Sequence, residues 1–305
     1  MNLHQLTLLQ HQARGLSFLP RQPINSLLAG RHASRVRGRG LNFEEIRIYH
    51  PGDDVRTIDW KVTARLRSPH TRVYTEERDR PTLLLVDQRI GMFYGTQVNM
   101  KSVTASQAAA LAAWRVLDAG DRIGAIVFND LQSQVIEPRR SRRTVTRILQ
   151  TICQFNSQLA ASSTMRTNAT MFNEVLDRAV RLAKHDFLIV IASDFHGYDE
   201  SSLNKLRQLR QHNDVIACLV HDPSASRLPH GRDIVVSDGD LQVEWSLSGK
   251  RTRQRLQDAS SGRIAKVLKL QNLLRIPVLP LSSGEDVSKQ LHRLLGRATT
   301  IATAT

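Results

Sequence analysis

Cysteine is scarce in this sequence, with only Cys153 and Cys218 among 305 residues. Each stands among apolar neighbours, and there is no Cys-x-x-Cys pair of the kind that binds zinc. A disulfide framework and a cysteine-based zinc site are therefore without support, and we expect two buried thiols.

Long apolar runs are also missing. The longest, at residues 83–86 and 187–192, have the length of strands, whereas a helix that spans a bilayer needs about 18 to 20 apolar residues. Near the start of the chain, polar residues interrupt any signal-peptide core: Gln5, Gln10, His11, Gln12 and Arg14. We therefore expect a cytoplasmic protein that reaches a membrane only indirectly.

Acidic residues are outnumbered, at 28 against 43 lysines and arginines, for a formal net charge of +15. The excess is mostly arginine and falls in three clusters: Arg31, Arg35, Arg37 and Arg39; Arg139, Arg140, Arg142, Arg143 and Arg147; and Lys250, Arg251, Arg253 and Arg255. Such clusters can bind nucleic acid or an acidic protein, or they can be solvated helix starts and loops. No aromatic residues interleave with them for base stacking, so we expect only weak, nonspecific nucleic-acid binding.

Four segments differ in pattern. Leucines at near-helical spacing predict a lead-in helix in residues 1–30. Residues 31–80 are rich in glycine and arginine and contain short β-like runs without a helical period. Apolar strands alternate with amphipathic helices over residues 81–298, and residues 299–305 form a tail. This alternation predicts an α/β fold with a doubly wound, mainly parallel sheet.

Ligands of such sheets bind beyond the carboxyl ends of the strands. Asp87 follows the first apolar strand, Asp194 follows a later one, and Thr170 leads into a helix between them. Two carboxylates and a hydroxyl could hold a divalent cation through oxygen ligands. The alternative is that both aspartates cap turns or helices, and that His196 is a surface histidine rather than a ligand or base.

Acidic and basic residues mix at short range between residues 53 and 65: Asp53, Asp54, Arg56, Asp59 and Arg65, with Trp60 among them. The pattern predicts an internal ion-pair network that holds the β-rich segment to the main domain. The alternative is a partner-binding surface, for which Arg89 and His196 are further candidates.

A long series of positions carries a family resemblance: GRG at 38–40, FEEIR at 43–47, PGDDVR at 51–56, IDW at 58–60, TAR at 63–65, EER at 76–78, LVD at 85–87 and GDRIG at 120–124, with Tyr49, Met92 and Gly95. On these residues the chain resembles the domain-of-unknown-function 58 family. The match is dense over residues 31–130 and looser to about residue 295. The resemblance implies a von Willebrand factor A-like domain behind an N-terminal β-rich segment.

The resemblance also implies a metal-ion-dependent adhesion site, whose motif is Asp-x-Ser-x-Ser with a threonine and a second aspartate. Asp87, Thr170 and Asp194 match this motif, but Arg89 and Gly91 stand where the two serines would be. Glycine offers no side-chain oxygen and arginine brings a permanent charge, so the site is degenerate. We expect no cofactor and no Mg²⁺ binding, and we expect Arg89 to neutralise Asp87 and Asp194.

By resemblance, the function is that of a non-enzymatic protein-interaction module or adaptor that works with a MoxR-type AAA+ ATPase. The sequence contains no Gly-x-Ser-x-Gly motif of a serine hydrolase, and the glycines at residues 38–40 lack the pattern of a phosphate-binding loop. Two alternatives stay open. One is a basic nucleic-acid-binding protein, and the other is a metal-dependent phosphoesterase that uses Asp87 and Asp194.

Overall fold

The computed structural model describes residues 1–14, 16, 41–76, 80–160, 167–225, 234–237, 242–245 and 262–296. The chain divides into two compact units. Residues 1–20 and 80–305 form the first unit, and residues 21–79 form the second. The predicted lead-in segment, residues 1–30, is thus shared between the units, and the predicted tail, residues 299–305, lies outside the described residues.

The predicted lead-in helix is short where it is described. Helix α1 spans Leu3–Leu8 and begins at a capping box, in which Asn2 and Gln5 exchange side-chain to backbone hydrogen bonds. Leu6 of this helix is buried, and its carbonyl oxygen accepts a 3.1 Å hydrogen bond from Nε1 of Trp114. The start of the chain is therefore part of the hydrophobic core of the first unit.

In the second unit, strand β1 (Leu41–Ile48) pairs antiparallel with β2 (His70–Glu76). Between them lies helix α2 (Trp60–Leu66), which begins where the Asp59 carboxylate accepts hydrogen bonds from the backbone N–H groups of Lys61 and Val62. The sequence pattern predicts no helix here, so this part of the prediction is wrong. The reason is that α2 has only seven residues and exposes most of them, so it lacks an apolar stripe.

A six-stranded sheet forms the centre of the first unit. Its strands are β3 (Thr82–Asp87), β4 (Ile123–Phe128), β5 (Ser133–Arg139), β6 (Leu188–Ser193), β7 (Asp214–His221) and β10 (Val278–Ser282). A separate antiparallel pair is formed by β8 (Ile234–Ser237) and β9 (Gln242–Trp245). The order across the sheet is β5-β4-β3-β6-β7-β10, and every pairing is parallel except that of β4 with β5. The predicted doubly wound, mainly parallel α/β fold is confirmed.

The strand order reverses between β3 and β6. From β3 the chain moves outward to β4 and β5, then returns to the other side of β3 and continues through β6, β7 and β10. At such a reversal the connections that leave the two neighbouring strands diverge, which opens a crevice at their carboxyl ends. We therefore expect a functional site at the residues that follow β3 and β6.

Helices cover both faces of this sheet. They are α3 (Lys101–Asp118), α4 (Arg142–Ser157), α5 (Met171–Leu182), α6 (Glu200–His212), α7 (Leu270–Leu274) and α8 (Val287–Gly296), and residues 262–268 are also helical. With α1, helices α3, α4 and α8 contribute to one hydrophobic core, whereas α5, α6 and α7 contribute to a second core. Because β3, β4 and β6 lie between the two cores, every one of their residues is buried.

Both cysteines are free. Cys218 is buried in β7, and burial raises the pKa of its thiol to about 12. Cys153 is only half-buried, so the expectation of two buried thiols holds for one of them. In the described part of the chain, no helix is long and apolar enough to cross a membrane.

Trp114 links α3 to its neighbours and is 2% exposed. In addition to its hydrogen bond to Leu6, its ring centroid lies 5.3 Å from the guanidinium carbon of Arg142. The change Trp114→Phe keeps a large ring but leaves the Leu6 carbonyl unpaired. We expect the free energy of unfolding to fall by about 1–3 kcal/mol, measured by urea titration with circular dichroism.

Trp60→Phe is the matched control, because Trp60 is 70% exposed. This change should alter the free energy of unfolding by less than about 0.5 kcal/mol. Equal losses for the two variants would show that the contacts of Trp114 contribute nothing to stability.

Candidate functional site

Two aspartates meet at the carboxyl edge of the sheet, where the strand order reverses. Asp87 is the last residue of β3, and Asp194 directly follows β6, which pairs with β3. Asp87 is 0% exposed and Asp194 is 6% exposed. A carboxylate that is this deeply buried stays ionised only where positive charge or several hydrogen-bond donors compensate it.

Asp87 is compensated by Arg89. The guanidinium binds the carboxylate in a bidentate manner, with Nε 3.0 Å from Oδ1 and Nη2 2.7 Å from Oδ2. The backbone N–H of Arg89 also donates to Oδ1 at 3.0 Å, and the Ser193 hydroxyl donates to Oδ2 at 2.6 Å. Both carboxylate oxygens are thus occupied by donors from the chain itself.

Arg89 is itself enclosed. Its side chain is 3% exposed, and its guanidinium carbon lies 5.6 Å from the ring centroid of Phe128 and 5.7 Å from that of Phe172. Burial alone would lower the pKa of Arg89, but the charge and hydrogen bonds of Asp87, together with the charges of Asp194 and Asp130, outweigh burial and raise that pKa. The guanidinium is therefore a permanent cation within cation–π distance of two aromatic rings.

Asp194 is compensated by three cations from different parts of the chain. Nζ of Lys101, the first residue of α3, lies 2.6 Å from Oδ2, and Nη1 of Arg263 lies 3.5 Å from the same oxygen. Nη2 of Arg89 lies 4.0 Å from Oδ1. Burial would raise the pKa of Asp194, but these cations, Lys101 foremost, hold it well below its usual range.

The loop that carries Arg89 is fixed by polar side chains on both sides. Gln88 donates from Nε2 to the Ser102 carbonyl at 3.1 Å and accepts from the Asn156 amide at 2.9 Å, which connects the loop to α3 and α4. The carboxylate of Asp130 accepts from the backbone N–H groups of Ile90 at 2.6 Å and Asn168 at 2.9 Å. The Asp87–Arg89 pair is therefore held in one arrangement by its neighbours.

The other predicted site residues lie apart from this pair. Thr170 is exposed, and its hydroxyl donates to Oδ1 of Asn168 at 2.7 Å instead of facing the aspartates. His196 is connected to Asp194 by its backbone N–H, at 3.0 Å. Burial lowers the pKa of its imidazole from the ordinary value and so favours the neutral ring. Gly91 is exposed, and no atom lies within 4 Å of where a Cβ would be.

A divalent cation does not fit these residues. Arg89 occupies both oxygens of Asp87, Lys101 occupies an oxygen of Asp194, and the Thr170 hydroxyl is directed elsewhere. Among the described residues, no three His, Cys, Asp or Glu side chains are grouped so that they could hold a metal ion. These residues therefore offer no set of ligands for Mg²⁺. That the protein does not bind Mg²⁺ stays a prediction.

Three residues of the site are not singled out in the sequence analysis. Ser193 precedes Asp194 and ends a buried strand, so its place at the sheet edge can be read from the sequence. Lys101 and Arg263 cannot be found in this way, because they are far from Asp194 along the chain and reach it only through the packing of their helices.

The mixed-charge cluster at residues 53–65 is local to the second unit. Asp53 pairs with Arg47 at 2.8 Å, and Asp59 pairs with Arg72 at 2.8 Å. The Arg47 hydrogen bond lowers the pKa of Asp53. The remaining polar residues of this cluster are exposed, namely Asp54, Arg56 and Arg65, with Asp54 accepting from the backbone N–H of Arg56 at 3.0 Å. These contacts do not test whether the cluster holds the β-rich segment to the main domain, which stays a prediction.

Comparison with known proteins gives one family. The family model described as "Protein of unknown function DUF58" matches residues 45–266. Uncharacterized proteins of Mycobacterium bovis and Mycobacterium tuberculosis are 30% identical over 275 residues, which is 90% of this chain and 84% of each relative. Among solved structures, the crystal structure of the SpRpn10 VWA domain matches with a TM-score of 0.38 at 12% identity, over 71% of this chain and 95% of that chain.

The buried Asp87–Arg89 pair can be tested by removing its cation. Arg89→Met keeps the aliphatic part of the side chain but leaves the buried carboxylate without its main partner. We expect a loss of about 3–5 kcal/mol in the free energy of unfolding, measured by urea titration. Asp87→Asn combined with Arg89→Met should recover part of this loss, because no buried charge remains. A double variant less stable than Arg89→Met alone would contradict this account.

The loss of metal ligands can be tested by restoring them. The unmodified protein should show no thermal shift with millimolar Mg²⁺, since a ligand stabilises only if it binds the native state. The double change Arg89→Ser with Gly91→Ser removes a cation and supplies two hydroxyls, and the space at Gly91 accepts a side chain. This variant should be stabilised by Mg²⁺, and adding Asp194→Asn should abolish the effect. Micromolar binding of Mg²⁺ to the unmodified protein in calorimetry would refute the prediction.

Proposed function

The chain belongs to the DUF58 family, and on that basis we propose that it is a non-enzymatic protein-interaction module, an adaptor that works with a MoxR-type AAA+ ATPase. The observation that carries the non-enzymatic part of the proposal is the buried pairing of Asp87 with Arg89, at the edge of the sheet where ligands of such folds bind.

The contacts of Asp87 and Asp194 leave neither carboxylate suited to act as a general base. A general base needs a free oxygen and a pKa near the working pH. Asp87 has both oxygens occupied, and the pKa of Asp194 is depressed by Lys101, Arg89 and Arg263. These contacts count against the alternative of a phosphoesterase that uses Asp87 and Asp194.

Exposed apolar side chains on the same edge favour protein binding. Val98, in the connection from β3 to α3, is 64% exposed, and Leu131, in the turn from β4 to β5, is 69% exposed. Loops held by a rigid sheet are common sites of binding, and exposed apolar side chains are what a protein partner can cover. In the second unit, Trp60, Arg56 and Arg65 are further exposed candidates.

The partnership is tested by capture from a lysate of the native host. The tagged protein should retain an AAA+ ATPase of the MoxR type, and retention should differ between ATP and ADP. Leu131→Asp should weaken capture if the carboxyl edge of the sheet takes part. Leu273→Asp is the matched control, because Leu273 is 63% exposed on α7, which leads to the opposite end of β10.

This capture experiment tests both the partnership with the ATPase and the carboxyl edge as its contact surface. Repeated captures at low salt that retain no such ATPase would refute the partnership. Equal weakening by Leu131→Asp and Leu273→Asp would show that the carboxyl edge is not the contact surface, while the partnership itself would stand.

A further inference from the structure

Five arginines gather where β5 ends and α4 begins, and we call them the arginine patch: Arg139, Arg140, Arg142, Arg143 and Arg147. All five are exposed. The one acidic residue between positions 137 and 147 is Glu137, which lies 3.9 Å from Arg139. Both of these side chains are about three-quarters exposed, so their attraction is screened by water. Within this stretch of the sequence, five arginines therefore stand against a single glutamate.

Two of the arginines are held in place by packing. The guanidinium of Arg142 lies over the ring of Trp114 and donates to Oε1 of Gln10 at 3.0 Å. The guanidinium of Arg140 lies against Gly120, in the turn that follows α3, where a Cβ would be 2.5 Å from Nη2. Arginines that are already ordered lose little conformational freedom when they bind an anion.

The spacing of the other arginines suits an extended chain. Arg143 and Arg147 are four residues apart on α4, so they share a face and lie about 6 Å apart along the helix axis. In an extended peptide, alternate side chains point the same way and repeat every 6.6 Å or so. Carboxylates at alternate positions would therefore meet successive guanidinium groups, which bind carboxylates through paired hydrogen bonds.

The surroundings of the patch favour a protein over other polyanions. Base stacking needs an exposed aromatic ring, but Trp114, the ring that Arg142 covers, is 2% exposed. Insertion into a lipid bilayer needs apolar side chains beside the charges, but the apolar residues nearest the arginines along α4, Val145, Ile148 and Leu149, are buried.

We propose that the arginine patch docks an extended acidic segment of a partner protein. Arg139 pairs with Ile123, the first residue of β4, so the patch lies at the amino edge of the sheet, opposite the edge that carries Asp87. The inference rests on the proposed function, because it names the chemistry of a partner, and it adds a second contact surface to the one at the carboxyl edge.

The test uses the full chain and a fluorescent ten-residue peptide in which glutamate and serine alternate, with a glutamine version as the neutral probe. Binding is measured by fluorescence anisotropy at physiological salt. The patch variant combines Arg139→Gln, Arg143→Gln and Arg147→Gln, which spares the two packed arginines. The control variant combines Arg181→Gln, Lys184→Gln and Arg207→Gln, three exposed positions on or beside α5 and α6. Both variants lose three positive charges.

We expect the unmodified protein and the control variant to bind the glutamate peptide alike, and the patch variant to bind it about tenfold more weakly or worse. None should bind the glutamine peptide. Equal weakening in the two variants would refute the inference, because net charge alone would then explain the binding. Tighter patch-dependent binding of a DNA duplex, or of phosphatidylserine vesicles, would also overturn it.

This outcome is separable from that of the proposed function. If the glutamate peptide depends on the patch but no ATPase is ever captured, the patch stands and the named partnership fails. If the ATPase is captured but the patch variant binds the glutamate peptide as tightly as the unmodified protein, the partnership stands and the docking role of the arginine patch is refuted.

Discussion

The buried ion pair between Asp87 and Arg89 is the interaction on which the carboxyl edge of the sheet depends. Parallel pairing of β3 with β6 places two carboxylates at the same edge, and both are removed from water. Ionised groups pay a large desolvation cost in such a place, and only close opposite charges and good hydrogen bonds offset it. Arg89 supplies both to Asp87, and its ring neighbours Phe128 and Phe172 exclude water from the guanidinium. The conformation of the loop after β3 follows from this requirement.

Charge compensation by side chains distinguishes this edge from a metal site. A bound cation can leave, and its departure changes the charge of the site, whereas Arg89 and Lys101 are covalently part of the chain. Lys101 begins α3, and Arg263 lies in the helical segment before α7, so Asp194 joins elements from distant parts of the sequence. The edge is accordingly a fixed structural feature of the sheet.

The sheet was predictable because its strands are apolar runs, and burial on both faces requires such runs. The positions of Asp87 and Asp194 were predictable because the carboxyl ends of parallel strands share one edge of the sheet. The neutralisation of Asp87 by Arg89 was predictable because Arg89 lies two residues after it. Helix α2 was not predictable, because a short exposed helix has no periodic apolar pattern. Its only signal in the sequence is Asp59, which caps its first turn. Thr170 was expected beside the aspartates, but Asn168 takes up its hydroxyl. Lys101 and Arg263 depend on tertiary packing that no local pattern encodes.

The division of the chain has a consequence for its synthesis. The second unit interrupts the first in sequence, since residues 1–20 and 80–305 belong together. The bond between Leu6 and Trp114 spans 108 positions, so the amino-terminal helix emerges long before its binding site on α3 exists. Contacts this distant in sequence form late and slowly. During synthesis, Leu6 therefore cannot reach its native place in the core until α3 has been made.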